Sequence, residues 1–139
     1  DMWDAQDSND RIAVAIVDGL GHGPLAATAA DTAITGFLSQ SQRTPSEVLK
    51  RQNDALRATR GAAMSVATID YRSNVITYAG VGNTSASITI GDQSRRAVSY
   101  DGTLGLRVRK IQEFSYPFES HSVIVFQTDG VSTSWDLSK

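Results

Sequence analysis

Hydrophobic residues recur along this chain with two different spacings, which separate a helical part from a part rich in strands. Residues 11–17 form a short apolar run that is typical of a buried strand, and a glycine-rich turn follows at residues 19–23. Alanine, isoleucine and phenylalanine then recur at helical spacing, which predicts an amphipathic helix over residues 24–38 with proline in its first turn. The chain therefore opens with a predicted strand, a tight turn and a helix.

A second helix is predicted to begin after Thr44, where Thr-Pro-Ser-Glu has the form of a capping box, and to end near Gly61. Beyond Gly61 the pattern changes to that of strands, with a hairpin turn at residues 91–92. The predicted strands cover residues 62–69, 75–81, 85–90, 95–100, 110–116 and 123–128. A strand, two helices and a long run of antiparallel strands predict an α+β fold in which helices pack on layered sheets.

Composition and charge exclude several classes of protein. The chain has 139 residues, of which 40% are hydrophobic and 20% charged, which is ordinary for a globular domain with its own core. Its net charge is −2 and it has no basic stripe, so we expect no nucleic-acid partner. It contains no cysteine, and no apolar run approaches the roughly 20 residues that span a bilayer. We therefore expect a cytoplasmic protein that does not contact the membrane.

Two predicted strands end in the same way, with an apolar run followed by Asp-Gly. Asp18-Gly19 ends the first strand, and Asp129-Gly130 ends the last. If these strands lie side by side, their carboxylates meet at one sheet edge, where a hard divalent cation would find oxygen ligands. Because Gly19 has no Cβ, its backbone carbonyl can also come close to a metal. The pair predicts a metal-dependent hydrolase, whereas each Asp-Gly taken alone could be an ordinary turn.

The chain resembles the metal-dependent protein phosphatases (the PPM superfamily), especially their bacterial SpoIIE-type branch with its small RsbX-like members. Four motifs carry the resemblance in the family's order: Val17-Asp18-Gly19-Leu20-Gly21-His22-Gly23, Gly80-Val81-Gly82-Asn83, Gly105 and Thr128-Asp129-Gly130. The resemblance covers nearly the whole chain and implies an α/β/β/α sandwich of antiparallel sheets flanked by helices. It also implies two manganese or magnesium ions per domain, and a hydroxide bridging them that hydrolyses phosphoserine or phosphothreonine on a protein.

The resemblance assigns roles to individual residues. Asp18 matches the carboxylate that bridges the two metals, and Gly19 matches the ligand that binds through its backbone carbonyl. Asp129 matches the carboxylate that completes the second metal site. Asp1 matches a family aspartate beside the metals that holds a metal-bound water, and residues 82–83 match a loop that shapes the site. Asp18 and Asp129 are therefore the implied catalytic residues.

The resemblance also implies a partner and the extent of the domain. The implied substrate is a phosphorylated protein, a STAS-type regulator in bacterial stress or sigma-factor signalling. Family members have a strand before the position of Asp1 and a further aspartate just before a final strand. We therefore expect residues 1–139 to be a single phosphatase domain without its first and last strands, in which Asp136 is the only carboxylate after Asp129.

Two other functions remain open on the sequence. The first is a catalytically inactive relative that binds a phosphorylated partner without hydrolysing it. This alternative stays open because the family's aspartate before the final strand has no clear counterpart in the sequence. The glycine-rich loop at residues 18–23 also has a superficial likeness to the loop of GHKL ATPases. A predicted strand precedes that loop, however, where those ATPases need a helix that bears an asparagine.

Residues to which the resemblance assigns no role could also take part in the chemistry. His22 could act as a general acid for the leaving serine oxygen, or it could be an exposed loop residue. Arg107, Arg109 and Lys110 form a basic cluster that could steer a phosphoprotein, although such clusters are more often the solvated edge of a sheet.

Overall fold

Two antiparallel sheets stacked on each other form the centre of the structure, a computed structural model that describes residues 1–130. The strands are β1 (Met2–Ser8), β2 (Arg11–Gly19), β3 (Ala62–Asp70), β4 (Val75–Val81), β5 (Ser85–Ile90), β6 (Gln93–Arg96), β7 (Gly102–Thr103), β8 (Arg107–Val108), β9 (Phe114–Pro117) and β10 (Val123–Gln127). The larger sheet has the order β1-β2-β3-β4-β9, and the smaller one has the order β10-β5-β6. Strands β7 and β8 form a separate short ribbon.

Two helices cover one face of the larger sheet. Helix α1 (Pro24–Ser39) packs on β2, and helix α2 (Pro45–Ala55) packs on β3 and β4. The face of α1 that is buried consists mostly of alanines, whose small side chains let the helix lie close to the sheet. The side chains of β2 alternate between this core and the other face of the sheet, so that Ala13, Ala15 and Val17 are buried under the helices.

The other face of the larger sheet packs against the smaller sheet, around a buried cluster of hydroxyl groups. Ser65 Oγ lies 2.7 Å from Tyr78 Oη and 2.6 Å from Thr84 Oγ1, and Tyr78 Oη lies 2.7 Å from Ser99 Oγ. Burial raises the pKa of the Tyr78 hydroxyl above its usual value, so the group is neutral and can both donate and accept. These hydroxyls satisfy one another and join the larger sheet to the segments that flank β5 and β6.

The predicted α+β class and the sandwich of antiparallel sheets with packed helices are confirmed. Within residues 1–130 both α-helices lie on the larger sheet, and no helix covers the smaller one. Among the helices of this described part of the chain, none is long and apolar enough to cross a membrane.

The capping box at the start of α2 is confirmed, but the end of that helix differs from the prediction. Thr44 Oγ1 accepts a hydrogen bond from the backbone N–H of Glu47 at 3.3 Å. The helix ends at Ala55, and a 3₁₀ turn (Leu56–Ala58) follows. The N–H and the hydroxyl of Thr59 both donate to the Leu56 carbonyl, which closes the turn before Gly61 is reached.

Three strand predictions are corrected by the structure. Strand β1 was not predicted, because it lies at the edge of the sheet and carries polar residues along most of its length. Strand β9 covers Phe114–Pro117, a shorter stretch than the predicted 110–116. Strand β6 covers Gln93–Arg96 instead of the predicted 95–100. The chain leaves β5 after this strand, and the backbone of Tyr100 bonds to the end of β4.

The two Asp-Gly strands do not lie side by side, so the condition under which their carboxylates would meet at one sheet edge is not met. Strand β2 belongs to the larger sheet, whereas β10 is an edge strand of the smaller sheet. The ends of the two strands still come together, because the two sheets are stacked. The two carboxylates therefore meet across the gap between the sheets.

Candidate metal centre

Asp18 and Gly19 are the last two residues of β2, where the chain turns sharply into α1. The turn uses Gly21 and Gly23, whose φ angles of 77° and 83° are unfavourable for other residues. Two hydrogen bonds of the Leu20 backbone hold the turn in place. The N–H of Leu20 donates to the Gly61 carbonyl at 2.9 Å, and the Leu20 carbonyl accepts from Arg60 Nη1 at 3.2 Å. Asp18 is half-buried at the mouth of this turn, and Gly19 is buried beneath α1.

Asp129 directly follows the buried Thr128 at the end of β10, and a neighbouring loop orients it. Asn83 Nδ2 donates a hydrogen bond to Asp129 Oδ2 at 2.6 Å. Asn83 comes after Gly82, which has a φ of 92° and ends β4 in the other sheet. The loop that the sequence predicted to shape the site therefore lies against one of its carboxylates.

The two carboxylates interact directly. Burial raises the pKa of Asp18, and the negative charge of Asp129 and a hydrogen bond between the two side chains raise this pKa further. Two carboxylates in this position repel each other when both are ionised. A bound cation would remove that repulsion, and carboxylate and carbonyl oxygens are the ligands that magnesium and manganese prefer.

An open cavity of about 600 Å³ lies in front of these two aspartates; we call it the carboxylate cavity. Its wall includes Asp18, Gly19, Asn83, Asp129 and a third aspartate, Asp101. Asp101 was not predicted as a site residue, although the sequence contains a pattern that could have indicated it. Asp101-Gly102 is a third Asp-Gly pair, but it follows irregular chain and not an apolar strand.

Asp1 and His22 lie beside a second, smaller cavity of about 330 Å³, which Asp18 and Gly19 also line. Asp1 Oδ2 accepts a hydrogen bond from the Thr128 hydroxyl at 2.9 Å, and His22 is exposed. Residues 1–130 contain no cluster of three or more Asp, Glu, His or Cys side chains close enough to hold a metal ion. Asp1 is therefore near the pair of aspartates but does not form a ready-made triad with them.

The other predicted site residues divide between structural and peripheral positions. Gly105 has a φ of 90° and donates its N–H to Asn53 Oδ1 at 2.8 Å, which ties its loop to α2. Arg107, Arg109 and Lys110 lie on β8 and just after it. Asp136 lies outside the described residues.

Solved structures with the same fold define the class of this chain. One similar chain comes from a structure described as "The bacterial stressosome: a modular system that has been adapted to control secondary messenger signaling". It superimposes with a TM-score of 0.90 at 25% identity, and the match covers 96% of this chain and 70% of that chain. RsbX in complex with magnesium superimposes with a TM-score of 0.88 at 23% identity, covering 96% and 67%. The fold is thus that of the PPM phosphatases.

Sequence comparison then shows the family. The model of the family "Stage II sporulation protein E (SpoIIE)" matches residues 8–136, so the chain belongs to the SpoIIE family. It is also similar to the phosphoserine phosphatase RsbX of Bacillus subtilis (strain 168), with 26% identity over 122 residues. That match covers 85% of this chain and 60% of RsbX, so the chain spans less than two thirds of this relative.

Proposed function

We propose that this chain is the catalytic part of a divalent-metal-dependent serine/threonine protein phosphatase. The observation that carries the proposal is the meeting of Asp18 and Asp129 at one cavity, although they end strands of different sheets. Membership of the SpoIIE family and the likeness to a phosphoserine phosphatase support it. The strand that precedes the glycine-rich loop argues against a GHKL-like ATP-binding site.

The donor set fits manganese or magnesium. Asp18 would bridge two ions, the Gly19 carbonyl would bind one of them, and Asp129 would complete the other site. Asp1 would hold a water of the metal centre. Because magnesium-like ions retain several waters, two carboxylates and a carbonyl are an adequate protein contribution. When bound, such ions lower the pKa of a water to near neutrality and neutralise charge on phosphoryl oxygens.

The protein residues contribute positions and charge, and none of them needs to be a nucleophile. Asn83 fixes the orientation of Asp129 through its 2.6 Å hydrogen bond. Gly19 and Gly21 in the wall of the carboxylate cavity carry no side chains, which leaves room beside Asp18 for a phosphorylated side chain. Two neighbouring carboxylates repel a phosphate group when no cation is bound, so we expect the proposed activity to depend on metal.

We further propose that the substrate is a phosphoserine or phosphothreonine of a regulatory protein, with a STAS-type regulator in bacterial stress or sigma-factor signalling as the leading candidate. The likeness to RsbX and to a chain studied with the stressosome supports this choice. Such a substrate would place the phosphatase in the cytoplasm.

The test is release of phosphate from a phosphoserine protein and from an aryl phosphate, with manganese, with magnesium and with a chelator. Asp18→Asn and Asp129→Asn each remove one proposed ligand charge and keep the shape of the side chain. Asp92→Asn is the matched control, because Asp92 is exposed in the β5–β6 turn. We expect metal-dependent turnover in the wild type and in the control, and a loss of at least a hundredfold in the other two variants.

Full activity in Asp18→Asn or Asp129→Asn would refute their roles as ligands. A folded protein that binds its phosphorylated partner without hydrolysis would instead favour the catalytically silent relative. We retain this second function because residues 1–130 contain no cluster of three side chains that could hold a metal ion. Repeating the assay on a longer version of the protein would separate an inactive family member from a domain that needs further residues.

A further inference from the structure

A positively charged cleft shares a wall with the carboxylate cavity. Tyr100, Asp101, Arg109 and Lys110 line this cleft, which has a volume of about 370 Å³. Asp101 lines the carboxylate cavity as well. A molecule seated with one group in the carboxylate cavity can therefore place its adjacent groups in the cleft.

The backbone holds the cleft in a fixed position beside the cavity. The N–H of Tyr100 donates to the Gly80 carbonyl at 3.0 Å, and its carbonyl accepts from the N–H of Gly82 at 2.9 Å. In the β7–β8 ribbon, Thr103 pairs with Arg107. Because Thr103 lines the carboxylate cavity, β8 and the residues after it follow the rim of that cavity.

Three cationic residues gather on this rim in a chain whose net charge is −2. Arg107, Arg109 and Lys110 are all exposed, and within residues 1–130 none of them forms an ion pair with a carboxylate. Lys110 Nζ lies 5.4 Å from the centre of the Tyr100 ring, which keeps the ammonium group over the cleft. The rim thus offers positive charge that the described part of the protein does not neutralise.

We propose that this basic cleft, lined by Tyr100, Asp101, Arg109 and Lys110 with Arg107 nearby on β8, binds acidic residues of the phosphoprotein that flank its phosphorylated residue. The proposal rests on the proposed phosphatase function and specifies its substrate. Arginine binds carboxylates through paired hydrogen bonds, and positive charge at the entrance of a site raises the rate of encounter with a negative partner. A nucleic acid is a poorer candidate, because the chain as a whole has a net charge of −2 and would repel an extended polyanion.

The test compares two phosphoserine peptides of the same length, one with acidic and one with neutral flanks, and an aryl phosphate. The variant Arg109→Gln/Lys110→Gln removes two charges from the cleft. The matched control, Lys50→Gln/Arg51→Gln, removes the same two charge types from exposed positions on α2. The measured quantity is the ratio of kcat/KM for the acidic peptide to kcat/KM for the aryl phosphate, at low ionic strength with manganese.

We expect this ratio to fall about tenfold in Arg109→Gln/Lys110→Gln, through KM, and to stay within about twofold in the control. The preference of the wild type for the acidic over the neutral peptide should also disappear at about 1 M salt, where charges are screened within about 3 Å. An unchanged ratio, or an equal fall in both double variants, would overturn the inference.

Binding separates a failure of this inference from a failure of the proposed function. If neither the wild type nor a longer version of the protein hydrolyses any of the three substrates, the phosphatase proposal fails, and fluorescence anisotropy of the labelled acidic peptide then tests the cleft. Weaker binding by Arg109→Gln/Lys110→Gln than by Lys50→Gln/Arg51→Gln would support the cleft. Equal binding by the wild type and both variants would overturn it, as would tighter binding of a single-stranded oligonucleotide than of the acidic peptide.

Discussion

Replacement of Gly19 by alanine should destabilise the protein strongly, because α1 crosses directly over this residue. A Cβ at position 19 would lie 2.1 Å from the carbonyl oxygen of Ala26, 2.8 Å from its carbonyl carbon and 3.0 Å from its Cα. The shortest of these contacts is more than 1 Å closer than ordinary van der Waals contact. The obstacle is helix backbone and cannot rotate away, so the cost should lie at the upper end of that for overpacked cores, about 3 kcal/mol.

The second Asp-Gly pair supplies the matched control. A Cβ at Gly130 would meet only Thr128 Oγ1, at 3.8 Å, so Gly130→Ala should change the free energy of unfolding by no more than about 0.5 kcal/mol. Urea and thermal unfolding followed by circular dichroism, with a chelator present, measure both variants. For a domain of this size a cost of about 3 kcal/mol lowers Tm by about 10 °C. Equal stability of Gly19→Ala and Gly130→Ala would refute the argument, because it would show that α1 can shift freely.

Three further predictions concern the core, the proposed acid and the two aspartates. Tyr78→Phe should lower the free energy of unfolding by about 1–2 kcal/mol, because Ser65 and its neighbours lose a buried hydrogen-bond partner; a urea midpoint equal to that of the wild type would contradict this. If His22 is the general acid, His22→Gln should slow hydrolysis of phosphoserine, whose leaving oxygen needs a proton, far more than hydrolysis of p-nitrophenyl phosphate; equal slowing of both would contradict that role. Because the folded state raises the pKa of Asp18, the contribution of this carboxyl to the stability of the metal-free protein should be lost as pH rises above about 4. Asp18→Asn should remove this contribution and stabilise the metal-free protein at pH 7, and parallel Tm–pH curves of the two proteins in chelator would show that burial and the charge of Asp129 do not raise the pKa of Asp18.

The parts of the fold that the sequence predicts well are those whose pattern reflects burial. Strand β4 has the predicted bounds, and β2, α1 and β3 are within two residues of theirs, because their apolar residues recur with the period of the element. Strand β1 has no such pattern, since Asp4, Gln6 and Asp7 interrupt it. Its extended form depends on pairing with β2, as in the pair Asp4 and Ala15, and pairing is not visible in a local pattern.

For the candidate site, the sequence predicted residues that lie together but not the arrangement of the strands that carry them. Asp18, Gly19 and Asp129 line one cavity although β2 and β10 are in different sheets, and their roles as metal ligands stay a prediction. The order of strands in a sheet depends on contacts between distant parts of the chain, and periodicity carries no information about it. Asp101 was not predicted for a related reason, because its loop is held at the cavity by backbone hydrogen bonds between distant parts of the chain, from Tyr100 to the end of β4 and from Leu104 to Ala62.

Because Asp18 ends a strand of one sheet and Asp129 follows a strand of the other, neither residue alone sets the distance between them. That distance depends on the local thickness of the core, and hence on the side chains between the sheets, including the hydroxyl cluster around Tyr78. A substitution far from the cavity that thickens or thins this layer would change the spacing of the carboxylates without touching either. Conversely, an ion bound by both aspartates would stabilise the packing of one sheet on the other. A change that weakens this packing should therefore also lower the affinity for the ion.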